Sequence, residues 1–291
     1  MRRAVAVIAM LWAPLALAKP EQCLGHGTSQ WIIDETLVAT ANPDGPENQL
    51  RVAVCRPLYD RPGILFDYAA LEYGVFSYVS PVYVHQGAYV AITPLSFMSL
   101  RADAAGVFIW PLPLSGAGYY GKTGYVKTFN DSDLKAGDAR FAGGLNLTFT
   151  LTLQGEVPLT DRVRLQAVNS FSGDYWYVGD QPYWVNLRRD VVLAKSDWLI
   201  KENVFAGLAI ELDPRWTLRV GAVDDVNWVP RAGYLANILA GFVSLPFRRE
   251  GLFRDVEPFV RLGAYTAHAF RTGAQLFTGI SVAWAFPYER Q

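Results

Sequence analysis

The chain has 291 residues, 26 basic against 27 acidic, and is 51% apolar and 14% aromatic. A formal charge of −1 gives no sign of the basic surface that nucleic-acid binding requires. Two cysteines and three scattered histidines, His26, His85 and His268, exclude a disulfide-dense scaffold and give no metal-ligand spacing, so no metal and no cofactor are expected.

The N-terminus sets the compartment. Met1-Arg2-Arg3 precedes an apolar run from Ala4 to Leu17, shorter than the about 20 residues a membrane helix needs. Ala16-Leu17-Ala18 has the small-x-small form of a signal-peptidase site, so residues 1–18 read as a cleaved signal peptide. Losing Arg2 and Arg3 leaves 24 basic against 27 acidic residues, a charge of about −3. No later window offers the uncharged length of a membrane helix. Export places Cys23 and Cys55 in an oxidising compartment, where a disulfide between them is expected; a free, reactive pair is the alternative.

Residues 19–48 are polar and turn-rich, ending in Ala41-Asn-Pro-Asp-Gly-Pro-Glu-Asn48, and read as a periplasmic N-terminal segment. Residues 49–286 read as one β domain, with 64–110 parsing ambiguously. The clearest strand lies between Gly143 and Val157. Leu145, Leu147, Phe149, Leu151 and Leu153 share one face, and Asn146, Thr148, Thr150, Thr152, Gln154 and Glu156 the other. A helix would smear these apolar groups all round, so the period of two marks a strand. Pro158–Arg162 turns the chain into Val163, Leu165 and Ala167. The pattern returns from Ile200 to Leu212, turns at Asp213–Arg215 and resumes through Trp216, Leu218, Val220 and Ala222. Residues 234–247 and 256–270 read as two further strands. The last strand sets Leu276, Ile280, Val282, Trp284 and Phe286 against Gln275, Gly279, Ser281 and Ala283.

Such strands exceed the about five or six residues usual in soluble sheets and match the about 9–11 of a tilted membrane strand. Aromatics near strand ends (Trp198, Trp216, Trp228, Trp284, Phe286) point the same way. Leu276-Phe-Thr-Gly-Ile-Ser-Val-Ala-Trp-Ala-Phe286 resembles the closing strand of Gram-negative outer-membrane β-barrels, although a tail of residues 287–291 follows the aromatic. The resemblance implies an all-β fold, an antiparallel transmembrane β-barrel of about twelve strands (10–14), outer-membrane lipids around it, and the barrel-assembly machinery as a partner that recognises the terminal strand. It also implies a periplasmic C-terminus. Counting back, 158–162 and 213–215 become periplasmic turns, and 111–142 and 172–197 become extracellular loops.

The polar faces converge on a lumen. Glu156, Arg164, Lys201, Glu211, Arg219, Asp225, Glu257 and Arg261 are expected to face it. Pairing Val157 with Val163 would set Glu156 opposite Arg164. Pairing Leu212 with Trp216 would leave Glu211 diagonal to Arg219, and Asp225 diagonal to Lys201. A mixed-charge lumen suits a porin-like, narrow channel for small solutes or a sealed structural envelope component. The alternatives are an outer-membrane enzyme acting on lipid or lipopolysaccharide and a soluble exported ligand-binding barrel. For catalysis the sequence offers only His268 with Thr266 and Ser281, without a nucleophile–base spacing, so no catalytic residue is assigned. His268 reads as a rim histidine facing headgroups, His85 as a loop residue, and the Tyr and Trp of 175–184 as an interfacial belt, with stacking on sugars as the alternative.

Overall fold

The computed structural model describes residues 29–41, 45–59, 63, 65–112, 118–122, 139–186, 188–248, 255–269 and 271–287. Twelve long strands form the wall: β1 (Gln30–Ala41), β2 (Gly45–Pro57), β3 (Ala70–Val79), β4 (Tyr83–Leu95), β5 (Met98–Ile109), β7 (Ala142–Pro158), β8 (Val163–Val178), β11 (Ser196–Glu211), β12 (Thr217–Val229), β13 (Tyr234–Ser244), β15 (Asp255–Ala267) and β16 (Ala274–Pro287). Each pairs antiparallel with its neighbours in chain order. The first and last strands meet from Gln30↔Pro287 to Ala41↔Leu276, so the sheet closes into a barrel with no free edge. Four short strands complete the chain: β6 (Gly121–Lys122), β9 (Tyr183–Asn186), β10 (Val191–Ala194) and β14 (Phe247–Arg248).

The alternation of β7 is turned inside out relative to a soluble sheet. Leu145, Leu147, Phe149 and Leu153 are 61, 42, 59 and 44% exposed, while Asn146 and Glu156 are 2 and 4% exposed. In a soluble barrel the apolar face would be the buried one. Among the described residues, every wall strand except β2 carries large apolar side chains exposed on the outer face. Aromatics flank this band, with Trp31 and Tyr73 toward one rim and Phe108, Tyr177, Trp198 and Trp228 toward the other. Both ends of the described chain lie at the rim that carries the turns at 96–97, 159–162 and 212–216, together with the longer connections at 58–69 and 245–254. The opposite rim carries 42–44, 80–82, 110–141, 179–195, 230–233 and 268–273.

Several boundaries differ from the sequence reading. Among the described residues the barrel wall begins at Gln30, so residues 30–41 and 45–48 are wall rather than a periplasmic segment. Polar residues hid β1: Ile32 points inward and is fully buried against Cys55 and Ala70, which breaks the expected apolar-out pattern. Strand β8 runs to Val178 and β11 starts at Ser196, which shortens the second long loop from 172–197 to 179–195. The β7–β8 register also shifts, with Val157 opposite Leu165 instead of Val163. The turn is tighter than expected because the Thr160 hydroxyl accepts the Val163 N–H at 3.1 Å, which lets Pro158 and Leu159 continue the ladder. A shift of two positions keeps every side chain on its face. The signal peptide (1–18), Cys23, His26 and most of the tail (288–291) lie outside the described residues.

Candidate functional site: the lumen and the hairpin across its mouth

Inward residues of neighbouring strands are cross-braced by ion pairs. On one wall Asp34 and Arg51 stand directly opposite on β1 and β2, with Arg51 Nε 2.8 Å from Asp34 Oδ2. Arg51 Nη1 also reaches Glu72 Oε1 on β3 at 3.3 Å, and the Tyr89 hydroxyl donates to the same carboxylate. Arg101 binds Asp103 through Nε at 2.8 Å and stacks over the Tyr89 ring at 4.0 Å. The opposing wall is different. Phe205, Phe242, Phe259 and Phe277 form an inward stripe with successive ring centroids 5.5, 6.4 and 5.7 Å apart. Gly207 and Gly221 lie under the Phe205 ring, where an added Cβ would come within 2.8 Å of it.

The residues expected in the lumen stand at inward register positions, but most of the anticipated pairings change. Arg164 Nη1 lies 3.2 Å from Glu156 Oε1, diagonally across the tightened register, and Gln166 donates to the other Glu156 oxygen. The Leu212–Trp216 register is as anticipated, yet Arg219 turns the other way and meets Glu257 at 3.1 Å. Asp225 meets Arg261 at 3.2 Å rather than Lys201. Lys201 meets Asp174 on β8 at 2.7 Å. Glu211 has no ion pair among the described residues. Each strand has two neighbours, and a hairpin argument sees only the one joined by a turn. That is why Asp174 was missed across the β8–β11 seam, whereas Arg219 and Asp225 reach past β13 to Glu257 and Arg261 on β15, beyond either neighbour. Removing one member of a buried pair leaves an uncompensated charge, at a cost of about 3–5 kcal/mol.

The rim with the long loops is crossed by a structure the sequence reading took for loop. β9 and β10 form a hairpin from Tyr183↔Ala194 to Asn186↔Val191, and β6 adds to its edge. Both faces are apolar. Trp184, Val191 and Leu193 pack down onto Val107, Trp176, Leu199, Val229, Tyr234 and Ala236 of the wall. Val185 and Val192 pack up against Tyr120. The available sequence signal was Val191-Val-Leu-Ala194, four consecutive apolar residues within a polar loop, which must be buried somewhere. At its tip Asp190 adopts φ 56°, a left-handed turn that Asp tolerates better than most residues.

The tip reaches the far side. Arg188 Nε and Nη2 contact the two Glu47 oxygens at 2.8 and 3.1 Å, and its guanidinium lies 4.5 Å from the Tyr78 ring centre. Glu47 is on β2, five strands from β8 in one direction and six from β11 in the other, so the hairpin spans the whole mouth. Asp190 holds a second side, bound by Arg271 Nε and by His268 Nε2 at 3.2 Å, with the Tyr234 hydroxyl on its carbonyl at 3.3 Å. Burial opposes the Arg188 charge, but Glu47 holds its pKa above the ordinary arginine value. Burial, with Arg188 alongside, pushes Arg189 below that value.

Three sequence assignments are corrected here. His268 does not face headgroups: its side chain is fully enclosed against Asp190, Tyr234 and Tyr265. It is also far from Ser281, seven residues along β16 from Ala274, a span of about 23 Å at about 3.3 Å per residue. Ser281 instead accepts a hydrogen bond from Thr36 at 3.0 Å. His85 is no loop residue but an inward residue of β4, ringed by Phe76, Tyr78 and Trp176. The aromatics of 175–184 divide: Tyr175 stacks on Trp198 and Tyr177 is exposed on the outer face, while Trp176 and Trp184 are buried beneath the hairpin.

No family model matches the chain, and no curated protein does. Among solved structures, it is similar to an outer-membrane channel from Pseudomonas putida F1 (TM-score 0.44, 11% identity, 92% of this chain and 100% of that one). It is similar too to the translocator domain of the autotransporter NalP from Neisseria meningitidis (TM-score 0.42, 10% identity, 98% and 94%). The KdgM porin is a third (TM-score 0.37, 10% identity, 86% and 98%). At these identities the likeness is one of fold.

Proposed function

We propose that the chain is exported by a signal peptide at 1–18, inserted in a Gram-negative outer membrane by the barrel-assembly machinery, and passes small solutes through a narrow lumen whose outer mouth the β9–β10 hairpin closes. The inverted alternation supports the membrane: the outer face is what lipid chains solvate, and the ion-paired inner face is what water solvates. With the termini periplasmic, the hairpin lies outside. The observation that carries the channel reading is how the mouth is closed. The seal is a hairpin outside the barrel sheet, laid across the opening and fastened at its tip by charge pairs, so it can lift while the wall stays intact. A purely structural barrel would close equally well by filling its lumen with side chains.

Conductance in planar bilayers tests this. Arg188→Glu puts a carboxylate against Glu47, and the open fraction is expected to rise at least about tenfold, the equivalent of about 1.4 kcal/mol. Adding Glu47→Arg should restore much of the closure. Equal, silent behaviour of wild type, single variant and double exchange would count against the hairpin as a gate.

Cys55 is buried near the periplasmic end of β2, and we expect it to be bonded to Cys23. The bond would close a loop of about thirty residues, for which chain-entropy models give roughly 3–4 kcal/mol. Thiol labelling of denatured, unreduced protein should find no free thiol, and labelling of both cysteines would refute the bond.

A further inference from the structure

Beneath the hairpin lies a small cavity between β4, β5 and β8, and its chemistry is one-sided. We propose that it is a binding site for a single small inorganic anion of halide size, held by N–H donors of Trp176, Trp184, Asn186 and His85. These four residues line the cavity, at 3, 1, 3 and 5% exposure. Among the described residues, Trp176 Nε1, Trp184 Nε1, Asn186 Nδ2 and both ring nitrogens of His85 have no hydrogen-bond partner. An indole nitrogen only donates, and a neutral imidazole donates from one nitrogen in either tautomer. Asn186 is oriented by its other end, because its Oδ1 accepts the Arg189 N–H at 3.2 Å. The side chains therefore offer four donor groups and, from His85, one acceptor. Buried donors are nearly always paired in folded proteins, so a set of them around one cavity calls for an acceptor-rich occupant.

Size and charge narrow the class. About 20 Å³ of open space admits one atom-sized species and excludes an organic solute. Arg188, also in the lining, is neutralised by Glu47, and Lys201 nearby by Asp174. Arg189 is a cation in no ion pair among the described residues, the carboxylates of Asp174 and Asp225 acting on it only from farther off, and its Nε is buried without a hydrogen-bond partner among them. The carboxylate opposite Trp176, that of Asp197, is committed to backbone: its oxygens accept the N–H groups of Ala194 and Trp198, both at 2.9 Å. A monovalent anion supplies the missing acceptor and the missing charge together. Bound there, it bridges the hairpin (Trp184, Asn186) to the wall (Trp176, His85), and so fastens the hairpin from below as Arg188 fastens it at the tip.

The test uses the intact chain in detergent, with sodium bromide exchanged against sodium sulfate at fixed ionic strength. Crystals in bromide should show one anomalous peak in this cavity. The melting temperature should rise saturably with bromide. Trp184→Phe keeps an aromatic ring but removes the indole donor, and should weaken the apparent bromide affinity at least about tenfold, in line with a hydrogen bond to a charged group. If that variant folds poorly, Asn186→Asp provides the second arm: it places a carboxylate at the site and should abolish the bromide effect while the circular dichroism stays that of a barrel. A water in the cavity with no anomalous signal, or a bromide effect equal in wild type and both variants, would overturn the proposal. The measurement involves no conductance, so a barrel that never conducts can still bind bromide, and one that conducts can fail to.

Discussion

Phe149→Arg is expected to destabilise the folded barrel by about 2–4 kcal/mol, the cost of a lipid-facing arginine at the bilayer midplane. Phe149 sits at the middle of β7 and points away from the lumen. Neighbouring outward residues are Leu147, Leu151 and, on the next strands, Ala102 and Gly173, none of which offers a counter-charge. The informative control is Thr152→Arg, one inward position from the middle of the same strand. Thr152 lies opposite Ser99 and Ser170, and its hydroxyl is 3.1 Å from that of Ser170. An arginine there enters a polar lane and should cost well under half as much. Thr150 would be a poorer control, because Arg101 stands directly opposite it. Reversible urea unfolding from lipid vesicles measures both. Equal penalties at 149 and 152 would mean that the outer face of β7 does not meet lipid.

Where the residues alternate cleanly, the sequence is as legible as the structure. β7, β11, β12 and β16 could be placed within a few residues because each puts leucine, valine or phenylalanine on one face and threonine, glycine or charge on the other. Legibility fails where the inner face is itself apolar. Ile32 in β1 points inward against Cys55 and Ala70, and Phe76 and Tyr89 in β3 and β4 point inward against each other and the small residues Ala53, Ala91 and Ala105. An apolar inward residue erases the period of two, and that is why β1 was read as a polar leader and why 64–110 did not parse. The lumen charges were found strand by strand. Their partners were not, because a partner on a non-hairpin neighbour, or one strand beyond a neighbour, depends on sheet order and register, neither of which one strand reveals. Asp174 escaped for that reason, Arg51 because its partner Asp34 lies on the unread β1, and Arg188 because it stands on the hairpin rather than in the wall. The hairpin was hidden by its position in a long loop, although Val191–Ala194 is too apolar to lie in water.

The second large effect concerns that hairpin. Tyr177 and Ser196 are direct partners across β8 and β11, so the wall is already joined where the loop departs and does not need the loop to hold its register. Residues 180–194 can therefore be replaced by a short Gly-Ser link closing a tight turn. The exchange removes Trp184, Val191 and Leu193 from the wall and Arg188 from Glu47. It uncovers Trp176, Leu199 and Val229 to water, so some stability is lost, and a heat-modifiable band on a gel should first establish that the barrel remains folded. Single-channel recording of this variant beside the wild type in planar bilayers tests the account most directly. A hairpin-closed channel predicts a nearly silent wild type and a variant with steady, ohmic conductance at a single level. A folded variant as silent as the wild type would show that the lumen itself is sealed, and would contradict the assignment of the barrel as a channel.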